Sequence, residues 1–453
     1  MTTSSDTRAH LSPHDVLDAL SRHILVDGYH VVMDLEKSRG SYLYDARSNR
    51  PLLDFFTNFA TMPIGYNHPK MADPELRERI LQAGLTKPAN SDIYTSYYAD
   101  FVETFSRRAI PKSHADHLFF VEGGAMAVEN ALKTAFDWKV RKNIARGIGA
   151  EGTNTKGSRI LHFQKAFHGR SGYTLSMTNT SDPRKTQYFP KFDWPRLSCP
   201  ALVFPVTPEG IQAVSRTEET VEREIRKACA DFPNDIAGLI LEPIQGEGGD
   251  NHFRPEFFRR LRALADELEF LLIFDEVQTG VGITGSMWCW QQMGVEPDLF
   301  CFGKKTQVCG FASNHRIDDV DNVFKISSRI NSTWGGNLVD MVRAEKYFEI
   351  IDEENLVENA KTVGEHLLAR LKEMSEEFPG VVSNVRGRGL FLALDLPDKA
   401  MRDKTLAACL EHGLIALASG ASAIRFRPAL TLTKDEADEG VRKLRRAIGA
   451  ARG

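Results

Sequence analysis

Four places in the chain put a chemically capable side chain directly after a short apolar run, and in open α/β sheets ligands sit at the carboxyl ends of strands. Phe119-Phe120-Val121 leads through Glu122 into Gly123-Gly124-Ala125 and a stretch with helical apolar spacing at Val128, Ala131, Leu132 and Ala135. The free N–H groups at such a helix start can cradle a phosphate, and the same residues also suit an ordinary strand-to-helix turn. Leu271–Phe274 ends in Asp275-Glu276, an acidic pair that taken alone resembles the magnesium carboxylate of a nucleotide site or a helix cap. The nucleotide reading fails, because the only Gly-Lys pair, Gly303-Lys304, has Asp298 where G-x-x-x-x-G-K requires glycine. Leu299–Phe302 terminates in Gly303-Lys304-Lys305. A partly desolvated lysine loses basicity and becomes a carbonyl nucleophile, unless it simply reaches solvent. Arg170 in AFHGRSGYT and Arg425 and Arg427 in AIRFRPALT are candidate bidentate clamps for carboxylates, or surface ion pairs.

The elements that must position these groups follow from periodicity. Residues 1–75 read as a helix followed by short strands at Tyr42–Tyr44 and Leu52–Phe56. Residues 76–335 alternate helical stretches with apolar strands at His117–Val121, Arg159–Phe163, Ile236–Leu241, Phe270–Phe274 and Leu299–Phe302, which predicts a largely parallel sheet covered by helices. Arg141–Ser158 reads as a surface connection. Residues 336–453 read as a smaller α+β domain, with helices over Val339–Ile351 and Val357–Phe378 and strands around Val381–Val385 and Leu390–Leu394. There is no internal repeat.

At 453 residues, 42% hydrophobic and 26% charged, the chain has the balance of a folded multidomain protein. Its 57 Lys and Arg against 61 Asp and Glu leave a formal charge of -4, which gives no positive field for nucleic acid or anionic membrane. Apolar runs such as Ala201–Val206 are far shorter than the roughly 20 residues of a membrane-spanning helix. The polar start MTTSSDTRAH lacks an apolar targeting core, so a cytoplasmic location is expected. Cys199, Cys229, Cys289, Cys301, Cys309 and Cys409 form no C-x-x-C, and His162 and His168 lack an H-E-x-x-H spacing. Reduced thiols and no metal site are therefore expected.

A phosphate cradle, an aspartate at one strand end and a lysine 29 residues further on at another form the set that a pyridoxal phosphate enzyme needs. The runs VEGGAMAVENALK, KAFHGRSGYTLS, EPIQGEGGD, LLIFDEVQTG, FGKKTQVCG, NSTWGGN and IRFRPALT resemble those of the class III, or omega, aminotransferases, over about residues 20–435. The resemblance implies the type I fold, with a mostly parallel seven-stranded sheet in the large domain and a smaller α+β domain. It implies pyridoxal 5'-phosphate held by Lys304, which also moves the proton, with Asp275 on the ring nitrogen and Lys305 a structural neighbour. Gly124 and Ala125 would present backbone N–H groups to the phosphate, and Thr333 would reach the phosphate of the partner in a homodimer. Phe167 would stack on the ring, Gln278 would lie near the ring hydroxyl and substrate, and Glu242 would position that edge.

The same resemblance points to members that move the 6-amino group of L-lysine to 2-oxoglutarate. Lysine must bind with its α-carboxylate far from the reacting carbon, whereas the keto acid brings a carboxylate close to it. Arg170 is assigned to the distal carboxylate and Arg425 to the near one. With lysine bound Arg425 faces no carboxylate, and Glu247 in the glycine-flanked, mobile run QGEGG is expected to neutralise it and swing away for 2-oxoglutarate. An omega-aminotransferase acting on ornithine or 4-aminobutyrate would share this core. A non-catalytic protein on the same fold would have no need of Lys304 and Asp275 together.

Overall fold

The computed structural model describes residues 11–153 and 155–452, so the polar start of the chain lies outside the described residues. Its centre is a seven-stranded sheet in the order Leu118–Val121, Cys309–Ser313, Leu299–Phe302, Leu271–Asp275, Ile236–Leu241, Arg159–Phe163 and Arg196–Leu197. All pairings are parallel except those of Cys309–Ser313, which is antiparallel to both neighbours. The expected mostly parallel seven-stranded sheet is thus present.

Side-chain alternation along these strands divides the core into two layers. Leu272, Phe274, Phe300 and Phe302 pack on one side with Phe257, Phe258 and Leu261 of the helix Pro255–Glu267. Leu271, Ile273, Leu299 and Cys301 pack on the other with Val128, Ala131, Leu132 and Ala135 of the helix Gly124–Ala145. Every residue of Leu271–Asp275 and Ile236–Leu241 is buried, as covered parallel strands require.

A four-stranded antiparallel sheet orders Ser383–Arg388, Phe391–Asp395, Ala423–Phe426 and Leu417–Ser419. A three-stranded sheet joins Tyr42–Asp45 and Arg50–Asp54 to Leu414–Ile415. The helix Leu338–Glu353 packs on Pro74–Leu85 and Ser96–Arg108. None of the helices among the described residues is long and apolar enough to cross a membrane.

Three elements differ from the sequence reading. The helix Gly124–Ala145 continues into the stretch read as a surface connection. Its last turns are polar but tied to distant partners, with the Asn143 amide donating to the carbonyls of Lys156 (2.9 Å) and Asn234 (2.8 Å). The strand Cys309–Ser313 and the helix Lys434–Arg452 had no counterpart in the sequence reading. The strand is too short and too small-residued to announce itself, and it exists because Leu118–Val121 and Leu299–Phe302 flank it.

Candidate active site

Five strands lead at their carboxyl ends into residues of the site, four of them bringing a polar group. After Leu118–Val121, Gly123 turns the chain at φ +94° into the helix Gly124–Ala145. The N–H groups of Gly124 and Ala125 make no hydrogen bond among the described residues, which leaves the positive end of a helix dipole open. After Arg159–Phe163 comes Phe167, half-buried, whose N–H donates to Glu242 Oε1 (2.9 Å). Glu242 follows Ile236–Leu241 directly, and its other oxygen accepts from the Gly246 N–H (2.9 Å).

Asp275, the last residue of its strand and 5% exposed, accepts from the Val277 N–H (3.1 Å) and from His168 Nδ1 (2.8 Å). His168 Nε2 is buried without a partner. The sequence reading treated His168 only as a structural histidine; nothing local marks a partner 107 residues away. His162, its neighbour in the same run, is instead held neutral by burial, its pKa pulled down to about 3, and accepts from Arg196 Nε (3.2 Å).

Lys304 follows Leu299–Phe302 and has φ +53°, a left-handed conformation that costs a non-glycine residue about 1 kcal/mol or more. Burial pulls its ammonium below the ordinary lysine value, with the Asp275 charge opposing the shift. Lys305 is fully enclosed and spends its ammonium on the Gln278 carbonyl (2.7 Å). The two adjacent lysines therefore have different environments, and only Lys304 lacks a hydrogen-bond acceptor among the described residues.

Alternation along Ala423–Phe426 and beyond puts Arg425 and Arg427 on one side of the chain, and both reach Gln278 Oε1, at 3.2 Å from Arg425 Nη1 and 3.0 Å from Arg427 Nη2. Arg427 is spent on structure: it pairs with buried Asp250 (2.7 Å) and lies 3.2 Å from the Phe391 ring centroid. Arg425 instead pairs with Glu247 Oε2 (2.7 Å), while its Nε has no partner. Glu247 also pairs with Lys185, which the sequence reading passed over. Burial raises the Glu247 carboxyl, and the Arg425 and Lys185 cations more than offset this, leaving it below its ordinary value. The glycines on either side of Glu247 lie at close approaches to neighbouring groups. A Cβ at Gly246 would lie 2.3 Å from Gln278 Oε1, and one at Gly248 would lie 1.9 Å from the Lys165 carbonyl.

Two assigned residues make no hydrogen bond or ion pair with this cluster. Arg170 is exposed and forms no ion pair or hydrogen bond among the described residues, and Thr333 is exposed and hydrogen-bonds to none of the cluster. At the opposite end of Leu118–Val121, His117, His315 and Asp318 bring three potential metal-ligand atoms within 4.8 Å of one another, with Lys325 also paired to Asp318 (3.3 Å).

Glu276, beside Asp275, is buried and accepts from the Trp290 N–H (2.8 Å) and the Thr279 hydroxyl. Burial pushes its carboxyl up to about 7. A group whose folded pKa is raised adds stability below its unfolded value of 4.5, and that stability is lost as pH rises to about 7. Glu276→Gln keeps the shape and cannot ionise. Relative to the unchanged chain it is expected to gain about 1–3 kcal/mol between pH 5 and pH 8 in denaturant unfolding. A stability difference independent of pH would contradict this.

A cradle of open N–H groups, a buried carboxylate and a lysine of lowered basicity at the mouths of neighbouring parallel strands define a pyridoxal phosphate site. The chain belongs to the class III aminotransferases, whose family pattern it matches over residues 25–448, and these enzymes use pyridoxal 5'-phosphate. It is 50% identical over 439 residues, 96% of each chain, to the L-lysine-epsilon aminotransferase of Mycobacterium tuberculosis. It is 47% identical to that of Amycolatopsis lactamdurans, over 97% of this chain and 96% of the relative. The solved structure of lysine aminotransferase from M. tuberculosis in the internal aldimine form superposes with a TM-score of 0.94 at 49% identity, covering 97% of this chain and all of that one (100%).

Proposed function

We propose that this chain, as a cytoplasmic homodimer, transfers the 6-amino group of L-lysine to 2-oxoglutarate. The products are L-glutamate and 2-aminoadipate 6-semialdehyde, which closes to piperideine-6-carboxylate. The observation that carries this reading is the Arg425–Glu247 pair (2.7 Å). A guanidinium with a countercharge of its own suits an enzyme that takes in turn a substrate with no carboxylate near the reacting carbon and one with a carboxylate there.

When bound, pyridoxal phosphate supplies a carbonyl that condenses with amines and a ring that takes up the electron pair left by C–H cleavage. Gly124 and Ala125 N–H groups bind its phosphate, joined by Thr333 from the partner protomer. Phe167 would stack on the ring, its backbone held by Glu242 (2.9 Å). Asp275 holds the charge of the ring nitrogen and is itself held by His168. The Lys304 amine, less basic than an exposed lysine, carries the cofactor and then takes the proton from one carbon and returns it to another. Gln278 ties Arg425 to Arg427 at the substrate edge. Arg170, unpaired among the described residues, binds the distal carboxylate of either substrate, and Arg425 binds the near carboxylate of 2-oxoglutarate once Glu247 leaves it.

The test is product formation by cofactor-loaded protein with 2-oxoglutarate and, in parallel, L-lysine, L-ornithine or 4-aminobutyrate, counting glutamate and trapping cyclic imines. Glutamate with the six-membered imine from lysine is the expected result. Preference for ornithine or 4-aminobutyrate would move the substrate while keeping the chemistry, and no glutamate from any amine would end the transaminase reading.

A further inference from the structure

Glu247 is held between two cations, and only one of them belongs to the substrate pocket. Its Oε2 pairs with Arg425, whose side chain is 3% exposed, and its Oε1 pairs with the ammonium of Lys185, which is 20% exposed. Lys185 closes the short turn Pro183–Lys185. Its neighbour Arg184 is neutralised within that turn by Asp182, at 2.9 Å, so Lys185 is the cation that the turn presents to Glu247. The same ammonium lies 6.0 Å from the centroid of the Phe167 ring. Lys185 therefore stands on the rim of the cofactor site, on the outer side of Glu247.

The backbone around Glu247 is fixed. The Glu247 carbonyl accepts from the Gly420 N–H (3.0 Å), and the Gly246 carbonyl accepts from the Ser419 hydroxyl (2.6 Å). Any departure from Arg425 is therefore a rotation of the side chain. Room for it exists on the side away from Arg425, in a cleft of about 470 Å³ lined by Lys185, Glu247, Lys399, Arg402 and Ser419. A half-buried carboxylate stripped of its only cation is strongly disfavoured, whereas one that keeps a second partner is not.

We propose that Lys185 is a positioning residue that retains the Glu247 carboxylate when a substrate carboxylate takes Arg425, and so sets how readily the second substrate enters. This rests on the exchange of Glu247 for a substrate carboxylate proposed above. Lys185 acts through Glu247 and touches neither carboxylate of 2-oxoglutarate. Its loss affects binding at Arg425 only while residue 247 carries a charge that must be displaced.

The experiment uses the holoenzyme and Lys185→Met, Lys185→Arg, Glu247→Gln and the double variant Lys185→Met/Glu247→Gln. The two half-reactions are followed separately in single turnovers, and the dissociation constant of glutarate, an unreactive dicarboxylate, is titrated independently. Lys185→Met is expected to weaken glutarate about tenfold and to lower the rate constant per concentration for 2-oxoglutarate by a similar factor, with the lysine half-reaction within twofold; about 1.4 kcal/mol corresponds to that factor. Lys185→Arg should restore both values. In the Glu247→Gln background, removal of Lys185 should change neither. A full effect persisting in that background, an equal fall in both half-reactions, or a fall confined to the lysine half-reaction overturns the proposal; the last would place Lys185 on the distal carboxylate of lysine. Glu247→Gln alone separates failure of the underlying exchange. It should slow the lysine half-reaction and spare that of 2-oxoglutarate, and if it alters neither, both the exchange and the role of Lys185 fall.

Discussion

Lys304→Ala is expected to slow the lysine half-reaction by at least ~10⁴-fold, because in the proposed mechanism one amine both carries the cofactor and moves the proton. The lysine is set up for this by position. It ends an apolar strand, burial lowers its basicity, and its backbone is bent to φ +53°. Alanine at that φ adds little strain beyond what lysine already bears, so the melting temperature of the apoprotein should move by only a few degrees and the loss can be read as chemistry. Lys305→Ala is the contrast. It removes a buried donor to the Gln278 carbonyl (2.7 Å), an unsatisfied acceptor worth about 1–3 kcal/mol of stability. If Lys305→Ala abolished single-turnover chemistry and Lys304→Ala retained it, the two assignments would have to be exchanged.

Asp275→Asn is expected to cost about 10³-fold in the same half-reaction, or roughly 4 kcal/mol of barrier. The carboxylate is almost fully buried and is fixed by the Val277 N–H (3.1 Å) and His168 Nδ1 (2.8 Å). A carboxylate at this depth can hold a positive charge on a ring nitrogen far more strongly than an exposed one. Asparagine is nearly isosteric, brings no charge, and with a single oxygen accepts from only one of His168 Nδ1 and the Val277 N–H. The stopped-flow amplitude and rate with L-lysine measure the effect, and a loss of less than tenfold would remove Asp275 from the charge-holding role. A smaller loss is expected for His168→Ala, since that residue acts only by holding Asp275.

Much of this was legible because it is local. The unbroken apolar runs Leu271–Phe274 and Leu299–Phe302 mark buried strands, and a charged residue at the end of such a run sits at a strand mouth. The largely parallel sheet follows from that pattern at five strands, whereas its count of seven and the place of Glu242 came from the family resemblance. The spacing of Arg425 and Arg427 similarly puts both guanidiniums on one side, and the structure does so, at Gln278.

What the chain order does not reveal is which partner each charge meets. Arg425 and Arg427 look alike in sequence; Asp250 claims one and Glu247 the other only because the loop after Ile236–Leu241 passes over that sheet. His168 finds Asp275 across 107 residues, and Lys185 finds Glu247 across 62. The upward shift of Glu242 to about 7 and the downward shift of Lys304 arise from desolvation, a property of the closed core. Sequence by itself determined the element types, the strand mouths and the reactive residue types, because these depend on neighbours within a few positions. Only the tertiary structure decided the ion pairs, the protonation balance and which of the two arginines Asp250 claims, because Coulomb and solvation energies depend on distance in space.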